Sequence, residues 1–243
     1  MKTNRTRLQI RGLIVLAFLA LSIVPAQAST FNLTSQFSQS SNPNGVWSYN
    51  MSGSPIIAPL NTGYGAGWGY FPSADASILQ ATSAVDGHDW QVGDVVMHAP
   101  SVPYGGPTTF LDIDWRSPAN GTISISGSAW DAAFYDGRDA NWWLSVGGTT
   151  IASRGSVFGL YRSDPAAQFS SNLLPAQNLT GIGVTAGEVV RLGVATDTYY
   201  GHFVGVTEEI TLTEPVPDYS PNFLMLAISL VLITLRQRAA IRA

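Results

Sequence analysis

Three carboxylates, Asp131, Asp136 and Asp139, fall within nine residues of one another. Hard oxygen ligands of this kind are what Ca²⁺ takes, although the spacing is not that of an EF-hand loop. A structural calcium on these three is the one cofactor the residue types suggest, with plain pairing to Arg138 as its alternative; no other cofactor is expected. Asp112 and Asp114 alternate along a predicted strand and therefore share a face. Two carboxyls roughly 5–10 Å apart could cleave a glycosidic bond, whereas the plainer reading is a charged, solvated face that keeps a sheet soluble. His88, His98 and His202 are far apart and never at the i, i+4 spacing of a helical zinc site, so each is expected to be a lone turn or strand residue. The chain has no Gly-x-Ser-x-Gly elbow and no cysteine, which removes that serine-hydrolase signature and all thiol chemistry. Catalysis is not expected.

Binding is better signalled than catalysis. All seven tryptophans lie between residues 29 and 215, and a sugar stacks its C–H face on such rings. Trp68, Trp130, Trp142 and Trp143 are the candidate glycan-binding residues. Large rings also fill the cores of all-β proteins. Trp142 and Trp143 are adjacent and must point to opposite faces of a strand, one inward and one outward.

The elements that would position these side chains read as strands. Thr109 to Trp115 alternates, with Leu111, Ile113 and Trp115 on a core face and Phe110, Asp112 and Asp114 on a wet one. Thr122 to Gly127 follows across Asn120-Gly121, whose positive-φ chemistry predicts a hairpin. Further strands are predicted over Asn141 to Val146, Thr149 to Ser153 across Gly147-Gly148, Val189 to Thr196 and Phe203 to Leu212. The segment Asn61 to Phe71, rich in Gly and aromatics, reads as an irregular wrap over a sheet in preference to a binding loop. Sustained helical periodicity is absent, and 24 Gly and 14 Pro suit many turns.

The ends are of another kind. Lys2, Arg5, Arg7 and Arg11 precede an uncharged run, Leu13 to Val24, that is short of the roughly 20 residues a membrane helix needs. With Ala26 and Ala28 as the small residues of a cleavage site, it has the form of a secretory signal peptide cut after Ala28. At the other end, Glu214 to Pro221 is proline-rich, Phe223 to Leu235 is apolar, and Arg236, Arg238 and Arg242 follow. Between them, 15 of the 16 acidic residues meet only five arginines, a formal charge of −10 against −4 for all 243 residues. Such a surface repels nucleic acid.

The order Val216-Pro217-Asp218, apolar run, arginine cluster resembles the PEP-CTERM class of bacterial sorting tails, and more narrowly its Val-Pro-Asp variant, with Tyr219-Ser220 where that variant usually has Ser-Gly. The resemblance implies that an exosortase-type transpeptidase cuts near Val216, Pro217 and Asp218 and passes the protein to the cell surface or an extracellular matrix. Three further stretches, Ser41 to Tyr49, Trp115 to Gly127 and Val184 to Val194, resemble exported jelly-roll domains similar in architecture to carbohydrate-binding modules.

The expected organisation is a signal peptide over 1–28, an all-β, jelly-roll-like β-sandwich over 29–213, a proline-rich linker with the sorting motif over 214–222, and a single apolar helix with its basic tail over 223–243. The expected function is that of an exported, membrane-anchored precursor that becomes a non-catalytic surface or matrix protein. Its partners would be signal peptidase, the exosortase, the membrane through the C-terminal helix, and extracellular polysaccharide. A glycan-active hydrolase and a purely structural coat component are the alternatives left open.

Overall fold

The structure is a computed structural model that describes residues 27–69, 76–84, 87–101, 109–133, 137–196 and 198–215. Within these, alternation of apolar and polar residues builds strands almost throughout. They are β1 (Ala28–Asn32), β2 (Trp47–Met51), β3 (Ser54–Pro55), β4 (Ala58–Asn61), β5 (Gly65–Gly69), β6 (Ser77–Ala81) and β7 (Val95–Ala99). The second half adds β8 (Leu111–Arg116), β9 (Gly121–Asp131), β10 (Asn141–Val146), β11 (Thr149–Arg154), β12 (Ile182–Val184), β13 (Val189–Ala195) and β14 (His202–Thr213). Described helix is confined to a single turn, α1 (Leu33–Gln36), and two 3₁₀ turns. The α1 turn starts where the Asn32 side chain accepts from the Ser35 amide.

Two antiparallel sheets form a β-sandwich. One runs β12-β9-β14-β7-β6-β5-β4, with β1 also on β14; the other runs β11-β10-β13-β8-β2-β3. Leu111, Ile113 and Trp115 face Ile123, Ile125, Val206 and Ile210 in one apolar core. With no cysteine, that burial does the work a disulfide would share. Losing one filled ring such as Trp115 costs about 3–5 kcal/mol.

From β7 to β10 each strand lies in the opposite sheet from the one before it. The predicted β8–β9 hairpin is therefore corrected: β8 pairs with β2 and β13, β9 with β12 and β14, and the Asn120-Gly121 turn arches between sheets. A core face on both strands made this possible, because Ile123 and Ile125 approach Ile113 from across the sandwich and not from beside it. By contrast β10 and β11 do form a hairpin, with Gly147 and Gly148 at φ +56° and +82°. The predicted wrap over 61–71 is also corrected, since its described residues belong to the regular pair β4–β5.

Candidate functional site

At one pole of the sandwich β9 and β13 end, β10 and β14 begin, and β11 ends, as the registers Asn141↔Ala195, Trp142↔Arg154 and Val204↔Asp131 require. The loops that meet there are tied down by carboxylates. Asp139 Oδ1 accepts the amides of Ala140, Val157 and Phe158 at 2.7, 3.1 and 3.1 Å. Asp131, fully buried, accepts from Ala133 through one oxygen and from Gly159 through the other, at 3.1 and 2.9 Å. Asp164 and Asp89 take the amides of Tyr161 and Arg162. Each such bond gives a backbone donor of a loop a carboxyl oxygen as its acceptor.

Exposed aromatic rings stand on these loops and on the loop before β14. Phe158 and Tyr161 are each 52 % exposed, Tyr200 55 % and Tyr199 68 %. The Thr198 hydroxyl donates to the Tyr200 carbonyl at 2.7 Å, and the Arg138 guanidinium lies 5.2 Å over the Tyr200 ring. Tyr199 and Tyr200 meet edge-on, 81° apart. Exposed rings, with phenol hydroxyls and a guanidinium beside them, can stack on and hydrogen-bond a polyhydroxylated ligand.

The two described carboxylates expected to hold calcium, Asp131 and Asp139, serve here as acceptors for the backbone. Both oxygens of Asp131 and Oδ1 of Asp139 accept from backbone amides, and His202 Nε2 lies 3.0 Å from Asp131 Oδ1. Asp136 lies outside the described residues, and among those described no three metal-ligating side chains converge.

Three of the four candidate tryptophans are corrected. Trp68, Trp130 and Trp142 are 5 %, 0 % and 1 % exposed, which leaves no ring face for a sugar. Trp68 donates to the Ser38 carbonyl, Trp130 donates to the Asp89 carbonyl beneath the Arg162 guanidinium, and Trp142 packs on Phe169. Trp143 alone is half-buried, on the outer face of the six-stranded sheet with its edge against Phe110. Thus the adjacent pair does split into an inward and an outward ring.

Asp112 and Asp114 share a face as expected, but that face is not wet; both are buried. Asp112 accepts from the Gly53 amide at 2.9 Å and the Asn50 amide group at 3.0 Å, with Arg191 Nε at 3.2 Å. Arg191 also grips Asp114 in a two-pronged pair at 2.7 and 2.8 Å. Burial pushes the Asp112 carboxyl up to about 6, against the pull of the Gly53 amide and Arg191. The hydrogen bonds to Asp114 hold the Arg191 guanidinium above its usual value. The pair serves as a clip between β8, β13 and the Ser52-Gly53 turn.

His98 and His88 both pack on Phe203, at 4.1 and 6.0 Å, so two histidines distant in sequence meet beside the third. Burial, with the charges of Arg138 and His202, drives His98 down to about 3, which keeps it a neutral packing residue.

Sequence reasoning missed the exposed tyrosines, although a signal existed. Asp197 to Gly201 falls between two predicted strands, and rings in a polar loop have no core to enter. Of the remaining site residues, Ala28 opens β1, while Ala26, Val216, Pro217, Asp218 and the apolar run from 223 lie outside the described residues. Among those described, no helix is long and apolar enough to cross a membrane. No protein-family model matches the chain, and no curated protein does.

Proposed function

We propose that this chain is an exported surface or matrix protein, sorted through its Val216-Pro217-Asp218 tail, whose non-catalytic jelly-roll sandwich holds polysaccharide with the aromatic pole. The observation that carries the reading is the set of exposed rings at this pole. Phe158 stands on the loop fastened by Asp131 and Asp139, and Tyr199 and Tyr200 on a loop flanked by the Thr196 hydroxyl bond to the Asp139 carbonyl and the His202 contact with Asp131. The jelly-roll assignment is supported by strand order: β7-β14-β9-β12 in one sheet and β8-β13-β10-β11 in the other divide eight successive strands between two sheets.

The direction of β14 supports surface display. It starts at the aromatic pole with His202 and ends at Thr213, beside the linker, about 36 Å away at the usual strand rise. β1 pairs Ala28 with Thr213, so the mature N-terminus and the start of the tail share the opposite pole. The tail would then attach at the pole away from the rings.

The test uses mature protein from its native host, run through gels containing that host's surface polysaccharide. Tyr199→Ala/Tyr200→Ala is expected to weaken retardation about tenfold, while unchanged mobility in the variant sinks the binding reading. Intact mass tests sorting separately, with loss of residues beyond the Val-Pro-Asp motif expected and full retention of Phe223 to Arg242 opposing it.

A further inference from the structure

A second site lies on the flank of the sandwich. Between β1, α1 and the turn before β2 runs a cleft of about 820 Å³, within the roughly 300–1,000 Å³ of small-ligand sites. None of the twelve residues that line it is charged. This stands out in a domain whose formal charge is −10.

The walls are preformed. Trp47 Nε1 donates to Gln36 Oε1 at 2.9 Å, the Asn44 amide group donates to the Gln36 carbonyl at 2.8 Å, and the Ser38 amide donates to the Tyr49 hydroxyl at 3.1 Å. Gln80 spans the floor, donating to the Thr34 and Gly93 carbonyls at 2.8 and 3.2 Å. These bonds use one end of each amide. The opposite ends, Gln36 Nε2, Asn44 Oδ1 and Gln80 Oε1, have no protein partner among the described residues, nor does the Gln39 side chain. Phe31 and Phe37 add half-buried rings to the same lining.

We infer that this cleft binds a segment of uncharged oligosaccharide, separately from the aromatic pole. Amide groups that both donate and accept match the hydroxyls of a sugar, and the phenylalanine rings match its C–H faces. An anionic glycan would enter without a cationic partner and against the charge of the domain. A peptide is the competing occupant, because Phe31, Trp47 and Gln80 of the lining belong to β1, β2 and β6, and a backbone ladder would need an extended partner; the titration decides between the two.

The experiment is calorimetric titration of the mature protein with neutral hexasaccharides of β-1,4-glucan, β-1,3-glucan, xylan and mannan. A galacturonate hexamer and a Gly/Ser/Asn hexapeptide serve as comparators. Ser40 is exposed on the rim, so Ser40→Trp fills the cleft without touching the core. The expected result is binding of at least one neutral oligomer, weakened about tenfold or more by Ser40→Trp and unaffected by Tyr199→Ala/Tyr200→Ala. The inference is overturned by no neutral binding up to about 10 mM, by tighter binding of the galacturonate or the peptide, or by neutral binding that survives Ser40→Trp. Loss only in the tyrosine variant would place the sugar at the pole and remove it from the cleft. Failure of the pole would leave the cleft titration unchanged.

Discussion

Glu208 of β14 stands directly opposite Gly127 of β9, with its carboxyl turned into the apolar interior where, among the described residues, neither oxygen meets a hydrogen-bond partner. Its neighbours on that face, Val206 and Ile210, are core residues. Burial, with the negative charge of Asp114 behind it, pushes the carboxyl up to about 8. A lone charge at such depth is costly, so the acid stays protonated at neutral pH.

A folded-state value above the unfolded one means that the native chain holds this proton more tightly. The stability this confers is complete below the unfolded value of 4.5 and is lost as pH rises through about 8. Glu208→Leu removes the dependence. Urea unfolding at pH 5 and pH 8.5 should show the wild type losing stability between the two relative to the variant, with the variant ahead by about 1–3 kcal/mol at the higher pH. A variant that tracks the wild type at both values would show that the carboxyl is solvated.

Both sheets carry a tryptophan laid over the glycine opposite it on the next strand. A Cβ on Gly193 would come within 2.3 Å of the Trp143 ring, and one on Gly205 within 2.2 Å of Trp130. The rings differ in freedom: Trp143 is half-buried at the surface, whereas Trp130 is held by Asp89 and Arg162. Gly205→Ala should therefore destabilise by about 1–3 kcal/mol and Gly193→Ala by less, read as shifts in thermal midpoint. Equal losses would mean that Trp130 can swing aside.

What the sequence made legible divides along these lines. Strands with uninterrupted alternation, β8, β10, β13 and β14, can be read directly, as can the β10–β11 turn. β5 cannot, because Gly65, Gly67 and Gly69 occupy every second position; a Cβ on Gly67 would strike the Ile78 carbonyl at 2.3 Å, so packing and not hydropathy chose those residues. Partner choice is invisible as well: the Asn-Gly turn marks a reversal of the chain without saying whether it stays in its sheet. At the candidate site, the carboxylates Asp131 and Asp139 were legible as a functional cluster but not their use, because backbone amides leave no mark in side-chain chemistry. Asp112 and Asp114 looked solvated because Arg191, their partner, is distant in sequence.

Arg191 holds two buried carboxylates at once. Arg191→Met keeps much of the aliphatic stem but leaves Asp112 and Asp114 without a cation, a loss of about 3–5 kcal/mol as for other broken buried pairs. Protonation can relieve part of this. With the guanidinium gone, Asp112 should move further above about 6, so its protonated form is retained to higher pH. The variant's deficit should then be smaller at pH 5 than at pH 8, measured by urea midpoints. A deficit independent of pH would assign Arg191 a packing role alone.

Asp139 decides between a metal and an amide clamp at the aromatic pole. Its Oδ1 gathers three backbone donors, so Asp139→Ala leaves the Val157 and Phe158 amides without that acceptor and frees the loop bearing Phe158. Hydrogen exchange at residues 157–160 should accelerate, and stability should fall by about 1–3 kcal/mol. Asp139→Asn retains an acceptor oxygen and should recover part of both losses. In the wild type, adding EDTA or millimolar Ca²⁺ should leave the thermal midpoint unchanged, because a ligand that binds only the native state raises it. A midpoint that rises with Ca²⁺ and collapses in Asp139→Asn would restore calcium to this pole and demote the amide clamp.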